Sequence, residues 1–147
     1  MPEISIKEGS LEQALEVLAG LPEFDALKPL AHYETELNKA NSLILVAWAG
    51  DMAVGCKIGY DRFQDGSFYS WLGGVLPDYR KLGVAKQLAD HQEAWAIAAG
   101  YQSIKFKTQN RHRAMLQFAL RNGFAIYNVK PKEALANYRI ELVKHLK

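Results

Sequence analysis

Three cations, Arg80, Lys81 and Lys86, stand within seven residues of one another and flank Gly83. They sit where the character of the chain changes. Phe68 to Leu72 are aromatic and aliphatic apart from Ser70, side chains that favour a strand. Gly73 and Gly74 follow, and predict a bulge or the close approach of another backbone or a ligand. Pro77 closes the strand, since it cannot donate to a central ladder. Beyond Gly83 the spacing turns helical: Val84, Leu88, Trp95 and Ala99 share a stripe, with Ala85, Ala89 and Ala96 beside it and Gly100 as the stop. A helix start carries unpaired N–H groups and a partial positive charge, so this turn is suited to holding a phosphate. Neither G-x-x-x-x-G-K-[ST] nor a G-x-G-x-x-G after a strand occurs, so the usual nucleotide loops do not describe it.

The run Val75-Leu76-Pro77-Asp78-Tyr79-Arg80-Lys81-Leu82-Gly83-Val84-Ala85 matches V-x-P-x-x-[RQ]-x-x-G-x-[GA] at every fixed position. That pattern is the coenzyme A signature of the GNAT family of N-acetyltransferases, which the chain resembles along its length and most strongly from Ser67 to Phe124. The resemblance implies an α/β fold with a mixed sheet of about seven strands and four helices. It implies acetyl-CoA as co-substrate, with no metal, and a primary amine of a small molecule or peptide as acceptor. By the same resemblance, Leu72, Gly73, Gly74 and Val75 line the cofactor. Arg80, Lys81, Leu82, Gly83, Val84 and Ala85 hold its phosphates, and Asn110 reaches its amide. The backbone N–H of Val75 polarises the thioester, and the central strand splays from the strand after the long helix to admit the pantetheine arm.

Two departures stand out. Many relatives carry a tyrosine four residues before a Gly-Phe pair; here the pair is Gly123-Phe124 and the tyrosine position is Ala119. An alanine cannot protonate a leaving thiolate. A family asparagine is also displaced, with His112 in its place and Asn110 two residues earlier. For the base that deprotonates the amine, the candidates are Glu34, Glu36, Asp61 and Tyr69, although for each of them a solvated or packing residue is the plainer reading. Cys56 could carry an acyl group, but a small apolar strand residue is the plainer reading.

Several elements must position these groups. Ile4 and Ile6 begin a short strand. Ser10 and Gln13 form a capping box for a helix to about Gly20. Pro22 to Asp25 is a turn, and Pro29 opens a second helix bearing Leu30, Tyr33, Glu34 and Leu37 on one side. Leu43–Ala49 and Ala53–Tyr60 read as strands, and Gln64-Asp65-Gly66 as the turn into the central strand. After the long helix, Ile104, Phe106 and Thr108 alternate with Lys105 and Lys107, a half-exposed strand or one whose lysines line a rim. Arg111–Asn122 reads as a helix with Met115, Phe118 and Ala119 inward, followed by strands at Phe124–Val129 and from Tyr138.

The 147 residues predict one domain, 1–147, and 49% hydrophobic with 23% charged residues is a globular composition. One cysteine excludes an intrachain disulfide and suits a reducing compartment. Four scattered histidines offer no metal-ligand spacing. No run is long and apolar enough to span a membrane, and Met1-Pro2-Glu3 lacks the pattern of a secretory leader. A cytoplasmic protein is therefore expected. Residues 1–65 carry 5 Lys and Arg against 11 Asp and Glu, whereas residues 66–147 carry 13 against 5. This asymmetry suits a polyanionic cofactor on the later half and a cationic acceptor on the earlier one. Nothing but charge recommends a nucleic acid as partner. A cofactor-binding sensor or interaction module is the alternative to an enzyme, and self-association as a homodimer stays open.

Overall fold

The computed structural model describes residues 3–24 and 27–146. Its elements run β1 (Ile4–Glu8), α1 (Leu11–Ala19), α2 (Leu30–Leu37), β2 (Ser42–Ala49), β3 (Met52–Tyr60), β4 (Ser67–Val75), α3 (Val84–Ala98), β5 (Ser103–Gln109), α4 (Arg113–Arg121), β6 (Ala125–Lys130) and β7 (Arg139–His145). The strands form one sheet in the order β1-β2-β3-β4-β5-β7-β6. Only β4 and β5 pair in parallel; the other neighbours are antiparallel. Seven strands and four helices in this order match the sequence-based expectation. Met1, Pro2 and the Asp25 end of the expected turn lie outside the described residues.

Local chemistry accounts for most of the element ends. In α1, Gln13 N donates to Ser10 Oγ at 3.1 Å and Ser10 N donates to Gln13 Oε1 at 3.0 Å, so both halves of the capping box close. Pro29 caps α2 rather than entering it, and Tyr33 and Leu37 are its buried residues. Gly123, at φ +94°, ends α4 in the left-handed conformation that favours glycine. Within α4 the inward face differs from the expectation. Met115 is 42% exposed, while Leu116 packs with Ala119 against Ile140 and Leu142. The helix also begins two residues later than its sequence pattern suggests, at Arg113, and Ala119 is its buried residue as expected.

The sheet separates two main cores. On one face, Leu11, Ala14, Val17 and Leu18 of α1 and Tyr33 and Leu37 of α2 pack on Cys56, Ile58, Tyr60 and Tyr69. On the other, Val84, Leu88 and Ala96 of α3 pack on Leu45, Ala47, Val54, Phe68 and Val75. A smaller cluster under α4 holds Phe106, Ile140 and Leu142. Thus α1 and α2 cover the first half of one face, and α3 and α4 cover the other face.

Candidate active site

The parallel pairing of β4 with β5 is short. It joins Ser67, Phe68 and Tyr69 to Ser103, Ile104 and Lys105 and extends no further. From Ser70 to Val75 the strand keeps only β3 as a neighbour, while β5 follows β7 over its whole length. The sheet therefore opens into a split beside Ser70–Val75, as the family resemblance implies.

The edge of β4 that faces this split carries unpaired backbone groups. Leu76 N donates to Val54 O at 2.8 Å, so Leu76 points its N–H toward β3. In an antiparallel pair successive residues turn their N–H and C=O alternately to either side. Val75, and Gly73 two residues earlier, therefore present theirs to the split. Arg80 Nε donates to Val75 O at 2.9 Å from that side.

The glycines contribute by close approach. A Cβ at Gly73 would lie 2.9 Å from the Cys56 carbonyl oxygen, and one at Gly74 would lie 2.3 Å from Leu21 Cδ1. The bulge expected at these glycines stands instead at Trp71: Ile58 pairs with Leu72 and Gly59 with Ser70, which leaves Trp71 as the extra residue. The bulge puts the successive residues Trp71 and Leu72 on the same side of the sheet, with Tyr69, and the Trp71 ring lies 5.3 Å from that of Tyr60 and 5.7 Å from that of Tyr33.

Beyond β4 the chain makes a 3-10 turn at Pro77–Tyr79 and enters α3. Gly83 is the N-cap, with φ +83°, and Lys81 has φ +65°. No side chain caps α3. Gln87 N, bonded to Gly83 O at 3.0 Å, is the first helical donor, and the N–H groups of Val84, Ala85 and Lys86 have no backbone acceptor. A Cβ at Gly83 would meet nothing within 4 Å, so the space in front of the turn is open. Lys81, Leu82, Gly83, Ala85 and Lys86 are exposed, and Val84 is buried as the first core residue of the helix. Lys86 pairs with Asp90 one turn on.

Arg80 is held by a partner that its own stretch of sequence does not announce. Its guanidinium donates two bonds to Glu23, at 3.0 and 2.8 Å, across 57 residues. The same bonds keep the Glu23 carboxyl below the ordinary carboxylate range. This pair ties the segment after α1 to the turn that leads into α3.

The remaining candidates are scattered. Glu36 accepts from Tyr60 Oη at 2.9 Å and pairs with Lys39, and these bonds lower its pKa. Glu34 is exposed on α2. Tyr69 is 5% exposed, and burial raises its phenol pKa. Asp61 accepts from Tyr101 Oη at 3.1 Å, and Tyr101 packs with Phe68 and Trp95 on the α3 side of the sheet. Asn110 Nδ2 donates to Leu135 O at 3.2 Å, and the residue lines a cavity with Arg113, Leu116, Gln117 and Leu120. Cys56 is 1% exposed, its Sγ donates to Ala14 O at 3.6 Å, and burial pushes its thiol up to about 12. That thiol stays protonated at neutral pH and is no nucleophile. Ala119 is buried against Ile140 and Leu142. Among the described residues no group of His, Cys, Asp and Glu could hold a metal ion, and no helix is long and apolar enough to cross a membrane.

A split between β4 and β5, bordered by an uncapped helix start, is the arrangement that the resemblance to the GNAT fold implies. The chain matches the model of the acetyltransferase (GNAT) family over residues 11–124 and belongs to that family. Solved structures share the fold. The ribosomal-protein-S18-alanine N-acetyltransferase from Escherichia coli is 12% identical, with a TM-score of 0.83 over 99% of this chain and 95% of that one. An acetyltransferase from Bacillus subtilis in complex with CoA is 18% identical, with a TM-score of 0.76 over 100% of both chains. A GNAT family acetyltransferase from Elizabethkingia anophelis with acetyl-CoA bound is 16% identical, with a TM-score of 0.76 over 97% and 98%. No curated protein matches the chain.

Proposed function

We propose that the protein transfers an acetyl group from acetyl-CoA to a primary amine. The observation that carries this reading is the split beside Ser70–Val75 with the uncapped start of α3 at its end. The pantetheine arm lies in the split along the Val75 edge, and the pyrophosphate rests on the N–H groups of Leu82 to Ala85. Lys81, at its left-handed φ, and Gly83 curl the backbone there so that successive N–H groups converge on one anion. Two of the structural neighbours hold CoA or acetyl-CoA, which supports the same cofactor here.

The chemistry requires little beyond this frame. The amine nitrogen attacks the thioester carbonyl, and the Val75 N–H stabilises the oxygen as it becomes negative. The C–N bond forms, the C–S bond breaks, and coenzyme A leaves as its thiolate. A thiol of ordinary pKa, near ~8.5, is a good enough leaving group to depart unprotonated. Ala119 in the tyrosine position is therefore compatible with turnover, and water returns the proton to sulfur. The proton lost by the amine also goes to water, because Glu36 is held by Lys39 and Tyr60 and the buried Tyr69 is a neutral phenol.

The test is release of free thiol from acetyl-CoA with a panel of amines. Amine-dependent release with matching N-acetyl product is the expected result. Binding of acetyl-CoA with no turnover on any amine would make the protein a sensor instead.

A further inference from the structure

Among the described residues, no helix packs on the face of β5, β7 and β6 that α4 leaves uncovered. Lys107 pairs with Glu141 across β5 and β7, and Lys105 and Arg139 lie two residues from that pair on the same face. Alternate residues Phe106, Ile140 and Leu142 point to α4 instead. The helices α1 and α2 end their cover at Tyr69 and Trp71. Because α3 and its cofactor turn occupy the opposite side, an acceptor amine enters the split from this uncovered face. Lys107 is the first residue of β5 on that face beyond the last paired residue, Lys105.

The surface is crowded with positive charge. Arg62 lies 5.1 Å and Lys107 Nζ 5.9 Å from the centroid of the Tyr69 ring, and Lys105 and Lys107 stand 5.5 and 5.6 Å from the Phe63 ring. Lys105 pairs with Asp65 at 2.9 Å, and Lys130 Nζ stands 3.4 Å from Glu141 Oε2. Among the described residues, Arg62, Lys107 and Arg139 have no ion pair. Burial, and then repulsion from Arg62, lowers the pKa of Lys107; Glu141 across the strand pair offsets part of this, and Arg139 and Lys130 lower it further. Arg62, Lys107, Lys130 and Arg139 outnumber Glu141, the carboxylate between them, and a bound anion relieves the repulsion that remains.

We propose that the acceptor is a small amine that also bears a carboxylate, which Arg62, Lys107 and Arg139 bind on the uncovered face while the amine reaches the split beside Tyr69 and Trp71. This rests on the acetyltransferase reading and names the acceptor class for it. It also reverses the expectation of a cationic acceptor drawn from the acidic first half of the chain. The relevant surface is assembled from the β3–β4 turn, β5, β6 and β7, where Arg62, Lys105, Lys107, Lys130 and Arg139 outnumber Asp65 and Glu141.

The test compares carboxylate-bearing amines (β-alanine, glutamate) with their neutral amides and with diamines, by thiol release. The acids should exceed their amides in kcat/KM by at least about tenfold. Lys107→Met and Arg62→Met should each cost the acids about ten- to hundredfold, mainly in KM, and leave the amides within about threefold. Lys107→Glu should shift preference toward diamines, which a purely structural role of the side chain would not do. Calorimetry with acetyl-CoA on the parent and on each variant separates the two claims. Acetyl-CoA binding with equal or better transfer to neutral amines or diamines overturns the carboxylate proposal alone, as does an unchanged preference in folded Lys107→Met. Absence of acetyl-CoA binding by the folded parent overturns both.

Discussion

Gly83 and Arg80 stand three residues apart in the turn and serve it in different ways. Gly83 has a φ that L side chains rarely adopt, and a branched side chain there would also occupy the open space in front of the helix start. Arg80 contributes one partly solvated cation and already has Glu23 as a counter-ion. Gly83→Val should therefore weaken acetyl-CoA binding more than Arg80→Ala, whose loss should be about ten- to hundredfold. Dissociation constants for both proteins, with folding checked by circular dichroism, decide the order. Glu23→Gln gives the complementary result. On the proposed reading Glu23 competes with the pyrophosphate for the guanidinium, and an exposed pair of this kind is worth at most about 1 kcal/mol. Its removal should tighten acetyl-CoA binding by up to about fivefold. Weaker binding in Glu23→Gln would mean that the pair positions Arg80 for the phosphate rather than withholding it. Cys56 offers a simpler check: iodoacetamide at pH 8 should leave the native thiol unmodified and alkylate it in denaturant. Rapid native alkylation would contradict its burial and its raised pKa.

Among the elements, β4 was the most legible in the sequence and also the most instructive where the reading missed. The strand, turn and helix from Phe68 to Ala98 follow from residue types that act locally: proline as a stop, glycine at a left-handed N-cap, a helical stripe from Val84. The bulge does not. Glycines at 73 and 74 made it look local to them, yet they serve the Cys56 carbonyl and Leu21, and the extra residue is Trp71. Where a bulge falls depends on the register with β3, which one strand's sequence does not carry. Gly59 tests this arrangement. A Cβ there would lie 2.4 Å from Phe68 Cε2 and 2.8 Å from the Tyr69 carbonyl oxygen, beside the bulge. Gly59→Ala should cost about 1–3 kcal/mol in denaturant unfolding. A neutral result would mean that the strands relax easily around Trp71.

For the molecule as a whole, the fold was readable because the signature and the order of elements agree with each other. Contacts that join distant segments were not: Glu23 with Arg80, and Arg62 and Lys107 around the Tyr69 ring. Net charge by halves suggests a cationic acceptor, and the proposed carboxylate-bearing amine departs from it because that count disregards the face each residue occupies. One such long-range contact shows in the acid stability. Bonds from Ser67 and Lys105 lower the Asp65 carboxyl to about 2. Its contribution is then complete above about pH 4 and is lost as pH falls through 2. The carboxylate is 41% exposed, so solvent reduces that contribution to less than about 1 kcal/mol. Asp65→Asn should flatten the slope of stability against pH between about 4 and 2, measured by urea unfolding. The central claim, that the split and the α3 turn together hold an acyl-CoA, is tested most directly by calorimetric titration of the folded protein with acetyl-CoA. One saturable site is expected, lost or greatly weakened in folded Gly83→Val. No heat of binding at millimolar acetyl-CoA, or an unchanged affinity in that variant, would contradict it.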